Sequence, residues 1–287
     1  MERCRTLPQE AHKEAEDLFV VGWFFGDRES KVNRERSSIT REKHETLIRP
    51  FPISVDFEGL DKLSQSHEVK EAMENLSEEY FLEGKKVLLG LDRLDYTKGI
   101  PERLRAFDRF MEKHRKYKGK IIFLQMGEPS RMHIPQYKVL NDEIDSLVEE
   151  INYKHSTDNW KPITMVRRHL AFHELIAFYR LGDLCVVSSL HDGMNLVAKE
   201  FISSRSDNGG MLVLSQFTGA ARELQDALLV NPYDQEGFSE DIYRGLSMPE
   251  KEKKRRMERL RQTVQQNNIF RWAGMVLSEL FQFEFKE

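Results

Sequence analysis

Asp183-Leu-Cys-Val-Val-Ser-Ser-Leu-His-Asp-Gly-Met-Asn-Leu-Val-Ala-Lys-Glu-Phe-Ile-Ser-Ser204 decides how this chain is read. The apolar run Leu184 to Val187 reads as a buried strand. A short polar turn with glycine (His191, Asp192, Gly193) follows, and Leu196 to Ser203 favours helix. A strand, a tight turn and a helix start build an anion site. The first N–H groups of a helix lack acceptors, and its dipole favours negative charge there. The working expectation is a turn that holds a sugar nucleotide by its diphosphate.

Working outward, runs suited to buried strands recur at Lys86–Leu91, Lys120–Met126, Ile163–Arg167, Leu184–Ser188, Met211–Ser215 and Ala227–Asn231. Helical segments alternate with them at Gly99–His114, Ile134–Tyr153, Ala171–Leu181, Ala198–Ser204 and Gly219–Gln225. This alternation predicts an α/β protein with a doubly wound parallel sheet. Near-continuous apolar strands agree, because such sheets are covered on both faces. Ligands then bind at the carboxyl ends of the strands.

The flanks are harder to read. Residues 1–50 hold one apolar run, Leu18–Phe25, and then charged sequence from Gly26 to His44 that reads as a solvated loop or surface helix. They contain too few apolar runs to build a sheet. Pro50 to Asp56 reads as an extended linker or edge strand, and Phe57–Leu82 as helical. Ser239–Gln265 reads as one helix whose basic run, Lys251 to Arg261, interleaves with Glu252 and Glu258 and so suits a solvated face. Residues 268–287 form a last helix whose Phe270, Trp272, Met275 and Leu277 need a partner surface.

With 287 residues, 39% apolar and 32% charged, the chain suits one large soluble domain, or one domain with attachments. A net charge of −4 offers no global attraction to nucleic acid or to an anionic membrane. No stretch is long enough to span a bilayer. Cys4 and Cys185 are far apart, and Cys185 falls in a buried strand, which fits a reducing, cytoplasmic setting. No spacing of histidines or carboxylates marks a metal site, so no metal or cofactor is expected.

Three more loops follow strands. In Gly90-Leu-Asp-Arg-Leu-Asp-Tyr-Thr-Lys-Gly99, Arg93 and Lys98 suit a diphosphate, against the alternative of surface pairing with Asp92 and Asp95. Arg131 lies beyond the break at Gly127 and Pro129, where a lone arginine is more often solvated. Gln216-Phe-Thr-Gly-Ala-Ala-Arg-Glu223 closes the pocket or simply caps a helix with Thr218. In the opening stretch, Asp192 suits sugar hydroxyls, the amides of Asn195 to Val197 suit a phosphate, and Glu200 suits a ribose. The bland alternative makes Asp192 and Asn195 helix caps and leaves Glu200 facing solvent.

Taken together, Leu91 to Leu104, His191 to Phe201 and Leu214 to Leu224 resemble the trehalose-6-phosphate synthase family, retaining glycosyltransferases of the GT-B fold. The resemblance runs from about Arg49 to the end and implies the Rossmann-like, C-terminal donor-binding half of such an enzyme. It implies that Arg93 and Lys98 hold the donor diphosphate, Asp192 the transferred glucose, and Gly193, Met194, Asn195, Leu196 and Val197 the sugar and phosphate. Glu200 would bind ribose, Leu170 the base through its backbone, and Arg131 the acceptor phosphate. The implied reaction moves glucose from a nucleotide-glucose, UDP-glucose first, to glucose 6-phosphate with retention and no metal. Alternatives are a glucosylglycerol-phosphate synthase and a noncatalytic donor-binding fragment. A glycosidase using Asp192 and Glu200 leaves Arg93 and Lys98 without a task. The expected division is residues 1–50 as remnant or replacement of an N-terminal domain, 51–265 as the nucleotide-sugar domain, and 266–287 as a helix that packs on the absent domain. An oligomer or a partner chain would supply that domain.

Overall fold

A computed structural model of the chain describes residues 31–33, 38–41, 44–127 and 133–281. The Leu18–Phe25 run, Cys4 and Arg131 lie outside these residues. The chain forms two compact units, Met1–Pro52 and Ile53–Glu287.

The first unit corrects an expectation. Its described part is a three-stranded antiparallel sheet of β1 (Lys31–Asn33), β2 (Ser38–Arg41) and β3 (His44–Leu47). A loop or surface helix was expected there, because the segment is so charged. β-branched residues occupy matched positions instead, Val32 opposite Ile39 and Ile39 opposite Thr46. Antiparallel ladders are held by backbone hydrogen bonds and cross-strand pairs, so they need no apolar run.

The second unit is the expected α/β sheet. Its strands are β4 (Lys86–Leu91), β5 (Ile121–Met126), β6 (Ile163–Val166), β7 (Leu184–Val187), β8 (Met211–Ser215) and β9 (Leu228–Val230). They pair in parallel in the order β6-β5-β4-β7-β8-β9. Side chains alternate across the strands. Val87 and Leu89 pack with α1 (Phe57–Leu63), α2 (His67–Glu79), α5 (Phe172–Leu181), α6 (Leu196–Ser204) and α8 (Glu250–Gln266). Leu88 and Phe123 pack on the other face with α3 (Ile100–Lys113), α4 (Pro135–His155) and α7 (Gln235–Ser247). Cys185 is fully buried, and burial pushes its thiol up to about 12. It is a packing residue in this sheet.

Local chemistry sets the breaks that periodicity missed. The helical stretch 57–82 is two helices, because Ser66 turns outward and its hydroxyl accepts the Val69 N–H at 3.3 Å. The single helix expected over 239–265 is also two, parted at Met248 and Pro249, since proline cannot continue a helix. Residues 219–225 give only a 3₁₀ turn, Gly219–Arg222. Pro50 to Asp56 joins no sheet; Val55 is buried and its carbonyl accepts the N–H of Ile269, at the start of α9 (Ile269–Leu280). Lys251, Lys254, Arg255 and Arg259 of the basic run are exposed, as a solvated face requires, while Arg256 meets Glu252, and Arg261 bonds the carbonyls of Ile202 and Ser203 and the Asp61 carboxylate. Phe270, Leu277 and Leu280 of α9 are exposed.

Gly99 is a tight point of the sheet's upper edge. Its φ is +60°, and a Cβ there would lie 2.3 Å from the Ser188 carbonyl oxygen. Gly99→Ala should therefore cost at least about 2 kcal/mol, from the left-handed backbone alone and then from the clash. Urea unfolding of the two proteins measures it.

Candidate functional site

The sheet order reverses between β4 and β7, so the connections leaving these strands diverge and open a crevice. Residues 92–99 leave β4 on one side and 188–195 leave β7 on the other. The Leu190 N–H donates to the Thr97 carbonyl at 2.7 Å and stitches the two loops together. The third loop joins from β8. The Gly219 N–H donates to the Asp192 carbonyl at 3.0 Å and the Ala220 N–H to that of Met194 at 3.0 Å. Gly219 is required there, since a Cβ would sit 1.9 Å from the Gly193 oxygen.

Lys98 and Asp192 meet at the centre of this stitching. The Lys98 Nζ donates to Asp192 Oδ2 at 2.7 Å, and both side chains are mostly buried. Asn195 Nδ2 donates to the same oxygen at 3.1 Å. Burial acts to raise the Asp192 carboxyl, but the Lys98 ammonium, with Asn195 and the Met194 N–H, holds it below the ordinary carboxylate value. Asn195 also caps α6, its Oδ1 accepting the Ala198 N–H at 3.0 Å, with φ at 76°. The cap alternative thus holds for Asn195 and fails for Asp192. With Ala198 capped, the N–H groups of Leu196 and Val197 remain at the helix start, where the dipole favours an anion.

Lys98 does not pair with Asp92 or Asp95, because both carboxylates are engaged elsewhere. Asp95 accepts from Thr97 and, at 3.0 Å, from the Tyr137 hydroxyl. Asp92 is held by Arg103, whose side chain is wholly buried. Arg103 donates to Asp92 Oδ2 at 2.5 Å, Ser188 Oγ at 2.9 Å, Gln125 Oε1 at 3.2 Å and the Lys98 carbonyl at 3.4 Å. Burial pushes the Asp92 carboxyl up while Arg103 opposes it. Gly90 makes room, since a Cβ there would lie 2.4 Å from both Arg103 and Gln125.

Arg93 is exposed and shares a cleft of about 270 Å³ with Leu170, at the ends of β4, β5 and β6. Leu91, Gly127 and Leu175 also line it. Glu200 is half-buried on α6, one turn beyond Leu196, and does not face open solvent as the bland alternative had it. Its Oε2 accepts the Tyr179 hydroxyl at 2.9 Å. Burial raises the Glu200 carboxyl, and the Tyr179 hydrogen bond partly offsets that. The structure thus brings Lys98, Asp192 and Gly193 to Val197 together, with Arg93 and Leu170 in the adjoining cleft. Among the described residues, no group of three or more His, Cys, Asp or Glu side chains is arranged to hold a metal.

Arg103, Gln125, Ser188 and Tyr179 escaped the sequence reading. Two signals pointed to the first two. Arg103 falls on the apolar face of α3, beside Ile100, Leu104 and Phe107, and Gln125 interrupts an apolar strand. A charge on a buried face calls for a partner.

A switch-point crevice with cations, a helix start and carboxylates is where an open α/β sheet binds its ligands, and anionic ones are favoured beside a helix start. The family model for glycosyltransferase family 20 matches residues 24–282, and the chain belongs to that family. A trehalose-6-phosphate synthase of Mycobacterium leprae is 40% identical over 267 residues, covering 92% of this chain and 53% of the relative. An α,α-trehalose-phosphate synthase (UDP-forming) from Burkholderia xenovorans, solved with glucose-6-phosphate, superposes with a TM-score of 0.81 at 32% identity, over 85% of this chain and 54% of its own. An E. coli structure bound with UDP-2-fluoro glucose gives 0.83 at 30% identity, over 89% and 56%. The chain spans about half the length of these relatives.

Two outcomes test this geometry. Arg103→Met leaves Asp92 buried without its cation and should cost about 3–5 kcal/mol, while Arg103→Met with Asp92→Leu should recover most of it in urea unfolding. Glu200 has its folded value above the unfolded one. The stability it contributes is complete below the unfolded value, ~4.3, and is lost as pH rises through the folded value. Glu200→Gln cannot ionise, so it should lose less stability than the parent protein between pH 4 and 7, read as the shift in urea midpoint.

Proposed function

We propose that this chain is the donor-binding half of a retaining glucosyltransferase, which takes UDP-glucose and glucose 6-phosphate to trehalose 6-phosphate. The observation that carries the reading is the Lys98–Asp192 pair, 2.7 Å apart at the switch point and beside the start of α6. A cation and a carboxylate side by side there suit a diphosphate next to a polyhydroxylated sugar. The names of the similar proteins, UDP-forming and solved with glucose-6-phosphate or UDP-2-fluoro glucose, support this choice of donor and acceptor.

In this proposal Arg93 and Lys98 take the diphosphate, aided by the Leu196 and Val197 N–H groups. Asp192, freed by Lys98 turning to phosphate, accepts from glucose hydroxyls, while Gly193 and Met194 line the sugar. Leu170 contacts the base, Glu200 the ribose, and Arg131 the acceptor phosphate. The acceptor hydroxyl attacks the face that the nucleotide leaves, through an oxocarbenium-like state. Negative charge grows on the leaving diphosphate, so fixed cations there lower the barrier. Neutralisation falls to these side chains, and the proposal includes no metal. The apolar face of α9, with Phe270 and Leu277 exposed, is assigned to a second domain carrying the acceptor contacts. Among the described residues no helix is long and apolar enough to cross a membrane, and a cytoplasmic setting is part of the proposal.

Calorimetry with UDP-glucose, followed by an assay with glucose 6-phosphate, tests the reading. Binding with turnover supports it in full. Binding without turnover assigns the chain to donor capture alone, and no binding overturns both. Arg93→Ala and Lys98→Ala should each weaken UDP-glucose binding by about 1.5–3 kcal/mol, roughly 10- to 100-fold. Unchanged affinity in both variants would sink the assignment of the cations.

A further inference from the structure

Tyr179 is a fully buried tyrosine whose hydroxyl has one partner among the described residues, Glu200 Oε2 at 2.9 Å. Its ring packs edge-on against Phe201, with centroids 6.2 Å apart, inside the cluster that joins α5 and α6 to the sheet. A phenylalanine would fill that space equally well. The hydroxyl is therefore explained by the carboxylate it meets, since a buried O–H without an acceptor costs stability.

The carboxylate needs such a donor. Glu200 forms no ion pair among the described residues, although Lys199 precedes it, because Lys199 points the other way to Glu223 Oε2 at 2.9 Å and the Ile53 carbonyl at 3.1 Å. Tyr179 is thus the one described side chain that fixes where the Glu200 carboxylate sits. It engages Oε2, and among the described residues no donor engages Oε1.

Glu200 lies four residues beyond Leu196, hence roughly 6 Å along the axis from the helix start that faces the diphosphate. That step suits the separation between the 5′-phosphate of a nucleotide and the 2′,3′ edge of its ribose. An anionic acceptor without a local cation fits neutral hydroxyl donors. A carboxylate free to rotate would take one hydroxyl or none; a carboxylate pinned at one oxygen presents the other in a single direction.

We propose that Tyr179 is a positioning residue: by holding Glu200 Oε2 it aims the carboxylate at a ribose diol and makes the site prefer ribonucleotide over 2′-deoxyribonucleotide donors. This rests on the nucleotide-sugar reading above. It extends that reading from which residue meets the ribose to what sets the choice of sugar in the nucleotide.

The test compares UDP-glucose with 2′-deoxy-UDP-glucose by calorimetry on the full chain. The parent protein should prefer the ribonucleotide by roughly 10- to 100-fold, the range for hydrogen bonds to a charged group. Tyr179→Phe should weaken UDP-glucose binding by roughly tenfold and reduce the preference to about threefold or less. Glu200→Asp keeps the charge but shortens the reach, and it should lose the preference in the same way. It serves as the second variant if Tyr179→Phe unfolds. A purely structural Tyr179 would lower the folded fraction without changing the ratio of the two affinities. A preference retained in either folded variant overturns the proposal while leaving the donor reading intact. Failure of the parent protein to bind UDP-glucose overturns both.

Discussion

A guanidinium with no water around it must be given acceptors from the protein. Arg103 is that group here, and the upper edge of the sheet is arranged to supply them. Asp92 comes from the end of β4, Gln125 from β5 and Ser188 from the end of β7, while Arg103 itself rises from α3. Three strands thus send acceptors to one side chain of a helix. The Ser188 hydroxyl also lies 3.0 Å and 2.8 Å from the carbonyls of Lys98 and Gly99, so the same hub clamps the loop that carries the candidate phosphate cation.

The rest of the site follows from that clamp. With the 92–99 loop fixed and Gly99 pressed against the Ser188 carbonyl, Lys98 has a short reach to Asp192. Asp192 is in turn fixed by the Gly219 N–H at its carbonyl and by Asn195 at its carboxylate. Backbone contacts between three loops do the positioning, and the side chains that face the crevice need little support of their own. The Lys199–Glu223 pair acts at the other end of the same structure, tying α6 to the 3₁₀ turn after β8 and to the Ile53 carbonyl.

How much was legible varies with how local the cause is. The six strands were found within a residue or two at each end, because continuous apolar runs are forced wherever both faces of a sheet are covered. The helix breaks at Ser66 and Pro249 were written in the residues but lost under a helical period that runs across both. The antiparallel strands of residues 31–47 carry no such run, so a charged stretch hid a ladder held by its backbone. At the site, Lys98, Asp192 and Asn195 stood out because they sit on loops between strand and helix. Arg103 and Tyr179 did not, since each lies within a helix and only its distant partner gives it a role.

By itself the sequence determined the alternation of strands and helices, the glycines that permit tight loops, and the residue types gathered at the strand ends. These depend on short-range sterics and on burial patterns that repeat within a few residues. Only the tertiary structure decided which partner each charge takes. Asp92 belongs to Arg103 and not to Arg93, Lys98 to Asp192 and not to Asp95, and Glu200 to a tyrosine on another helix. The physical reason is that a buried charge selects its partner by distance and direction in space. Both are set by strand order and loop packing, and separation along the chain carries no record of them.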